Sequence, residues 1–198
     1  MEGELDTFLE GELDTLNYTS VRFDHGEANP MKQLVALEAT VQRVDGDDFA
    51  TLSGRVAFQK RIYLAQVAGI HLGYGFSWNQ HGPYSSELAL DRVRLEAMRG
   101  DIQRSLEKLS LRGEAEKVLD EVKTLIQRPA GSNLDDVEWL ELLSSLHYLA
   151  IEQGGLPLRN EERQGLEQDL VARKPHLNKG QDQFTETWKR LESLIALN

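Results

Sequence analysis

The chain has 198 residues, no cysteine and a formal charge of −11, which allows one ordinary domain with its own core and excludes disulfide frameworks, thiolate metal sites and cysteine nucleophiles. No apolar run approaches the roughly 18 residues of a membrane span, and acidic residues stand where a signal peptide is basic, so a cytoplasmic protein that touches no membrane is expected. The charge is uneven: residues 1–30 hold eight acids against Arg22 alone, which is −7 and leaves −4 on the remaining 168. An acidic total disfavours nucleic acid, but a nearly balanced body can still carry a basic face.

Residues 1–30 read as an acidic extension built on a tandem octad, EGELDTFL at Glu2–Leu9 followed by EGELDTLN at Glu10–Asn17. Two copies are too few for a solenoid. The plain reading is a weakly structured extension, which Leu5, Phe8, Leu13 and Leu16 can still anchor against the body; the alternative, resting on charge patterning alone, is an arm that docks on a basic partner or shields a basic surface. Asn29-Pro30 breaks the chain, and Met31 is a candidate second start.

Residues 31–198 read as a single helical domain. Leu34, Leu37, Val41 and Val44 share one face of a first helix ending near Arg43. Asp45–Asp48 is a turn without the EF-hand register. Ser53 is the expected N-cap of a helix to about Val67, burying Val56, Tyr63 and Val67 or Phe58, Ile62 and Ala65 according to the width of its apolar face. At its middle, Lys60 and Arg61 lay their stems on apolar surface with their heads in water. Ile70–Phe76, with two glycines, reads as a short irregular strand. Ser85 or Ser86 caps a helix that Gly100 separates from a segment through Leu109. Helices follow at 115–126, 134–153, 161–174 and about 182–197, each closed by proline or glycine signals or by the chain end.

The stretch FSWNQHGPYSSELALD, Phe76–Asp91, crowds aromatics, His81 and a Gly-Pro corner into one turn. Gly82-Pro83 sets a sharp entry into the next helix, because proline fixes φ and restricts its predecessor. The expected reading is a turn that orders an exposed recognition surface. Its partner-binding candidates are Arg61, Trp78, His81, Tyr84, Ser85 and Arg92, aromatic and arginine anchors being common in interfaces. Two sharper readings are weaker. A Ser85–His81–Asp91 triad can be drawn for an enzyme at the His81–Ser85 turn, but no G-x-S-x-G elbow exists, and no catalytic residue is assigned. The five histidines form no HxH or HExxH pair and phosphate-loop signatures are missing, so no metal or cofactor is expected.

The run FQKRIYLAQVAGIHLGYGFSWNQHGPYSSELALD resembles a helix bearing QK-x-x-YL, a short aromatic segment and a GPYS turn into a helix. It is similar to the YwgA-like group of small bacterial and archaeal proteins and, more distantly, to the Panacea (SocA-like antitoxin) domain, over roughly residues 50–195. Asn79 and Gln80 stand where that pattern has another aromatic. The resemblance implies a mainly α, multi-helix bundle with a winged-helix-like element around residues 50–100. It also implies a non-enzymatic role in toxin neutralisation, phage defence or regulation, with a protein partner, toxin or effector. The alternative is a winged-helix DNA-binding regulator that inserts Glu87–Arg99 and reaches DNA with Arg92, Arg94 and Arg99.

Overall fold

Seven α-helices and one short hairpin account for the regular α and β structure of residues 30–46, 48–107 and 113–198, which the computed structural model describes. In chain order these are α1 (Pro30–Arg43), α2 (Leu52–Val67), β1 (Ser77–Asn79), β2 (Gly82–Tyr84), α3 (Ser86–Leu106), α4 (Gly113–Leu125), α5 (Asp136–Glu152), α6 (Asn160–Arg173) and α7 (Phe184–Ile195). A 3₁₀ segment, Pro175–Gln183, joins the last two helices. The mainly helical, multi-helix expectation holds. The acidic octads lie outside the described residues.

The centre is a pair of helices, α2 and α5. A helix wrapped on all sides needs apolar residues all round, and α5 supplies them: every residue from Trp139 to Ala150 except Tyr148 is buried. Against it α2 buries Phe58, Ile62, Tyr63, Leu64 and Ala65: the Phe58, Ile62 and Ala65 face holds, Tyr63 joins it from the alternative face, and Val56 and Val67 are only partly buried. Each wholly buried leucine or isoleucine here contributes on the order of 1.5–3 kcal/mol. The outer helices α4 and α7 present single stripes, for example Ala115, Leu119 and Val122 on α4, whereas α1 is buried on most sides, with Leu37, Glu38, Ala39, Thr40 and Val41 buried in succession. The pairs Glu38–Arg99 and Gln42–Gln103 show that α1 runs parallel to α3.

Three boundaries differ from expectation, each for a local reason. Thr51 rather than Ser53 caps α2: Asp48 accepts from the Thr51 hydroxyl, which in turn accepts from the Gly54 amide. The helix starting after Ser85 passes straight through Gly100 to Leu106, because Leu95 and Ile102 bury the same face on either side of it. A mid-helix glycine costs only about 0.5–1 kcal/mol. Finally, Ile70–Phe76 pairs with no strand. It is extended, with Ile70, Leu72 and Tyr74 turned inward alternately, and pairing begins only at Ser77, with Ser77 opposite Tyr84, Trp78 opposite Pro83 and Asn79 opposite Gly82.

Candidate functional site: a clamped hairpin and its cationic groove

Two glutamines seven residues apart on α2 take the place of a missing partner strand. A primary amide sets an N–H donor beside a carbonyl acceptor, as a strand's backbone does, and both glutamines use that pairing. Gln59 donates Nε2 to the Ser85 carbonyl at 2.9 Å while its Oε1 accepts from the Ser85 amide at 2.9 Å. Gln66 repeats the pattern on Tyr74, at 2.9 and 3.0 Å. Residues 74–85 are thereby stitched to α2 at both ends. Between them Lys60 donates to the Pro83 carbonyl at 2.5 Å. The expectation that its head reaches water is overturned, since Lys60 is 1% exposed. It sits on the side of α2 that receives the hairpin, not on a solvent face.

The tip is held from the opposite side. Lys174, at the end of α6, donates to the Gln80 carbonyl at 2.5 Å and to Glu141 Oε1 at 2.6 Å. Lys174 and Glu141 are both buried, so the pair depends on its geometry to offset desolvation. His81 Nδ1 and His176 Nε2 approach the other Glu141 oxygen at 3.7 and 3.4 Å from the exposed side. Gly82 closes the turn at φ +83°, and a Cβ there would lie 2.4 Å from Ser145 Oγ. That hydroxyl is buried without a hydrogen-bond partner.

Burial lowers the Lys60 ammonium to about 7, against an attraction to Glu141 and with a smaller push from Lys174. At neutral pH the amine is therefore shared between its two protonation states. Deeper in the core, Tyr63 and His147 meet at 2.7 Å. Burial raises the phenol and lowers the imidazole to about 4, so at neutral pH both groups are uncharged and share one hydrogen bond. Tyr74 is raised by burial and by Asp91, to which its hydroxyl donates at 2.9 Å.

Beside the hairpin a groove of about 300 Å³ opens between the first turns of α2 and α3. Arg55, Lys60, His81, Tyr84, Ala89 and Arg92 are among its walls. Leu52 also lines it and is 64% exposed. On the outward face of α3 stand Leu90 and Val93, also exposed.

The six residues expected to form one partner patch are thus divided. His81, Tyr84 and Arg92 share the groove. Trp78 lies on the hairpin's other face, its ring 5.7 Å from that of Tyr148 and under the Arg173 and Lys174 cations at 5.5 and 5.2 Å. Arg61 belongs to a separate depression with Asp45, Lys123, Arg128 and Asp136. Ser85 is 1% exposed, and its hydroxyl caps α3 by accepting from the Leu88 amide; it has no face to offer a partner. The drawn triad does not assemble either, because Asp91 is taken by Tyr74 and Arg94, and His81 faces Glu141. Among the described residues no group of three or more His, Asp or Glu side chains could hold a metal ion.

Of the residues that build the site, Arg55, Glu141, Ser145 and Lys174 carried no sequence signal as site residues. Gln59 and Lys60 carried one as the QK half of the pattern whose other half is GPYS. The structure brings the two halves into contact. No protein-family model, curated protein or solved structure matches the chain.

Proposed function

We propose that the chain is a non-enzymatic interaction module whose protein partner docks over the groove between α2, α3 and the hairpin, in the toxin-neutralising or phage-defence manner that the resemblance implies. One observation carries this reading. Of the four large apolar side chains exposed among the described residues, Leu52 lines this groove, Leu90 and Val93 belong to α3, the helix that gives Ala89 and Arg92 to the groove wall, and Ile151 is on α5. Exposed apolar side chains with polar and charged groups beside them are what contact surfaces are built from, an apolar centre with a polar rim.

The DNA-binding alternative has less support, because each α3 arginine already faces a carboxylate. Arg92 meets Glu96 at 2.6 Å, Arg94 meets Asp91 at 2.8 Å and Arg99 stands 3.9 Å from Glu38. A salt titration on random duplex is expected to give no steep dependence, whereas contact with several phosphates requires one.

The test of the interaction reading is capture from source cells with the tagged full chain, its Leu52→Asp/Leu90→Asp/Val93→Asp variant and an Ile151→Asp control. All four positions are exposed, so the substitutions leave the core intact. A stoichiometric partner retained by the parent and the control but lost from the triple variant is expected. An unchanged set of captured proteins overturns the reading.

A further inference from the structure

We propose that the hairpin, residues 77–84, is a lid that opens as a unit from an intact helical body and uncovers the polar groups buried beneath it. Gln59 and Lys60 of α2, Glu141 and Ser145 of α5 and Lys174 at the end of α6 form that floor, and all five are buried. Each meets the hairpin or the residue after it. Gln59 bonds the Ser85 backbone, Lys60 the Pro83 carbonyl and Lys174 the Gln80 carbonyl, while Glu141 faces His81 and the Ser145 hydroxyl lies against Gly82. Elsewhere α5 meets its neighbours with leucine: Leu142, Leu143 and Leu146 are wholly buried.

What holds the lid down is what water can replace. Its apolar anchorage is Pro83 with the partly buried Trp78 and Tyr84, and Ser77, Asn79 and Gln80 are exposed. The remaining attachments of the tip are polar, and a bond to a protein carbonyl is exchanged for one to water at little net loss. The groups beneath gain from the exchange, since burial is unfavourable to a charge or an unpaired hydroxyl. Burial alone holds the Lys60 ammonium down to about 7 against the pull of Glu141, and Ser145 Oγ has no hydrogen-bond partner. Opening hydrates both.

The ends of the moving segment are defined. Gln66 fixes Tyr74 on one side and Gln59 fixes Ser85 on the other. Gly75, whose missing Cβ would meet nothing, follows the first clamp, and a glycine there absorbs the change of φ and ψ that a swing requires. Asn79, Gln80, His81, Gly82 and Tyr84 are also one wall of the groove, so opening joins the groove to the polar floor. The lid needs no partner, and it stands or falls apart from the docking reading.

Native-state amide exchange in the full chain, at rising urea below the unfolding transition, tests the motion. Pro83 has no N–H, so the cross-strand bonds fall on the pairs beside it and are donated by Asn79 and Tyr84 among others. Their amides are expected to exchange about tenfold or more faster than those of Leu142 and Leu143, with almost no dependence on urea, while the α5 amides follow the full unfolding slope. Thiol labelling tests the uncovering, and the absence of cysteine makes it site-specific. Ser145→Cys is expected to react through the same urea-independent opening. Ala150→Cys, buried on the other side of α5, is expected to react only with the unfolding slope. Hairpin amides that share the slope of Leu142 and Leu143 overturn the proposal, as does a Ser145→Cys thiol protected as well as that of Ala150→Cys. So does urea-independent labelling of Ser145→Cys beside a steep slope for the parent's hairpin amides, which traces the opening to the substitution. The parent's amides decide the case even where a variant fails to fold.

Discussion

Replacing Lys60 by methionine separates what the buried amine contributes as a cation from what it contributes as a donor. Its pKa is about 7 in the folded chain against 10.5 ordinarily. Between those values the unfolded chain holds a proton that the folded chain lacks, so stability from this group rises with pH across the window. One unit is worth about 1.36 kcal/mol, and the whole window therefore amounts to about 3–5 kcal/mol. Below pH 7 the group is charged in both states and the contribution is flat. Methionine removes the proton and keeps the stem's volume, but leaves the Pro83 carbonyl without its donor, a loss of about 1–3 kcal/mol. The absolute difference between parent and variant is consequently ambiguous, whereas its pH dependence is not. Urea unfolding of both proteins at intervals from about pH 6 to 10 is the assay, other titrating groups cancelling in the difference. The variant is expected to fare best at the acid end and to lose ground by about 1.4 kcal/mol per unit above pH 7. A difference that stays constant over the range refutes the argument, and with it the claim that Lys60 is desolvated.

Three further expectations follow from neighbouring contacts. Gly82→Ala combines a left-handed backbone with a Cβ 2.4 Å from Ser145 Oγ and is expected to cost about 2–3 kcal/mol. Adding Ser145→Ala moves the nearest contact out to 3.6 Å, so a double-mutant cycle should recover the steric part and leave the conformational part; simple additivity would contradict the contact. Gln59→Leu strands both polar groups of Ser85 and should destabilise by about 2–4 kcal/mol, with amide exchange quickened at Ser85. Gln66→Leu should do the same at Tyr74, and uniform acceleration in either variant would count against separate clamps. His147, lowered from 6.5 to about 4 by burial, adds stability that is present above pH 6.5 and is lost as pH falls toward 4, up to about 3 kcal/mol. His147→Gln should flatten that acid limb in urea melts, and an unchanged slope would exclude His147 as its source.

What the sequence made legible depended on whether a residue's environment is set by its own helix or by a distant one. The stripes of α4 and α7 could be read because one side of each faces water and the periodicity records it. Around α2 the pattern blurs, since α5, α1 and the hairpin cover most of its circumference, and the interior position of Lys60 left no periodic trace. The strand expected at Ile70–Phe76 had the right alternation but the wrong partner: a side-chain amide from Gln66 satisfies Tyr74, which no rule of strand pairing anticipates. Ser85 was legible as a cap and misread as a contact, because the same hydroxyl cannot serve both. Trp78 was legible as an anchor, yet its anchoring is internal, against Tyr148 and beneath Lys174. Glu141 stayed hidden because an acid in a leucine-rich helix gives no hint of a buried lysine 33 residues away.

The clamp also bears on what the resemblance can mean. Gln59-Lys60 and Gly82–Ser85 look like a signature for a ligand, but Gln59 bonds both polar groups of Ser85, Lys60 bonds Pro83, and Gly82 is the residue that lets the turn pass Ser145. Each half needs the other for backbone groups that burial would otherwise leave unpaired. A chain can therefore carry both halves for the sake of one hairpin geometry, whatever it binds. The signature argues for the shape of this corner, and the proposed partner contact rests instead on residues that the clamp leaves outside: Leu52, Leu90, Val93 and the Arg55 guanidinium, which donates to the carbonyls of Phe49 and Ala50. Leu52, Leu90 and Val93 are under no demand from the hairpin, so on the proposed reading substitutions there are expected to alter recognition while the fold stands, whereas substitutions in the signature are expected to disturb the fold first.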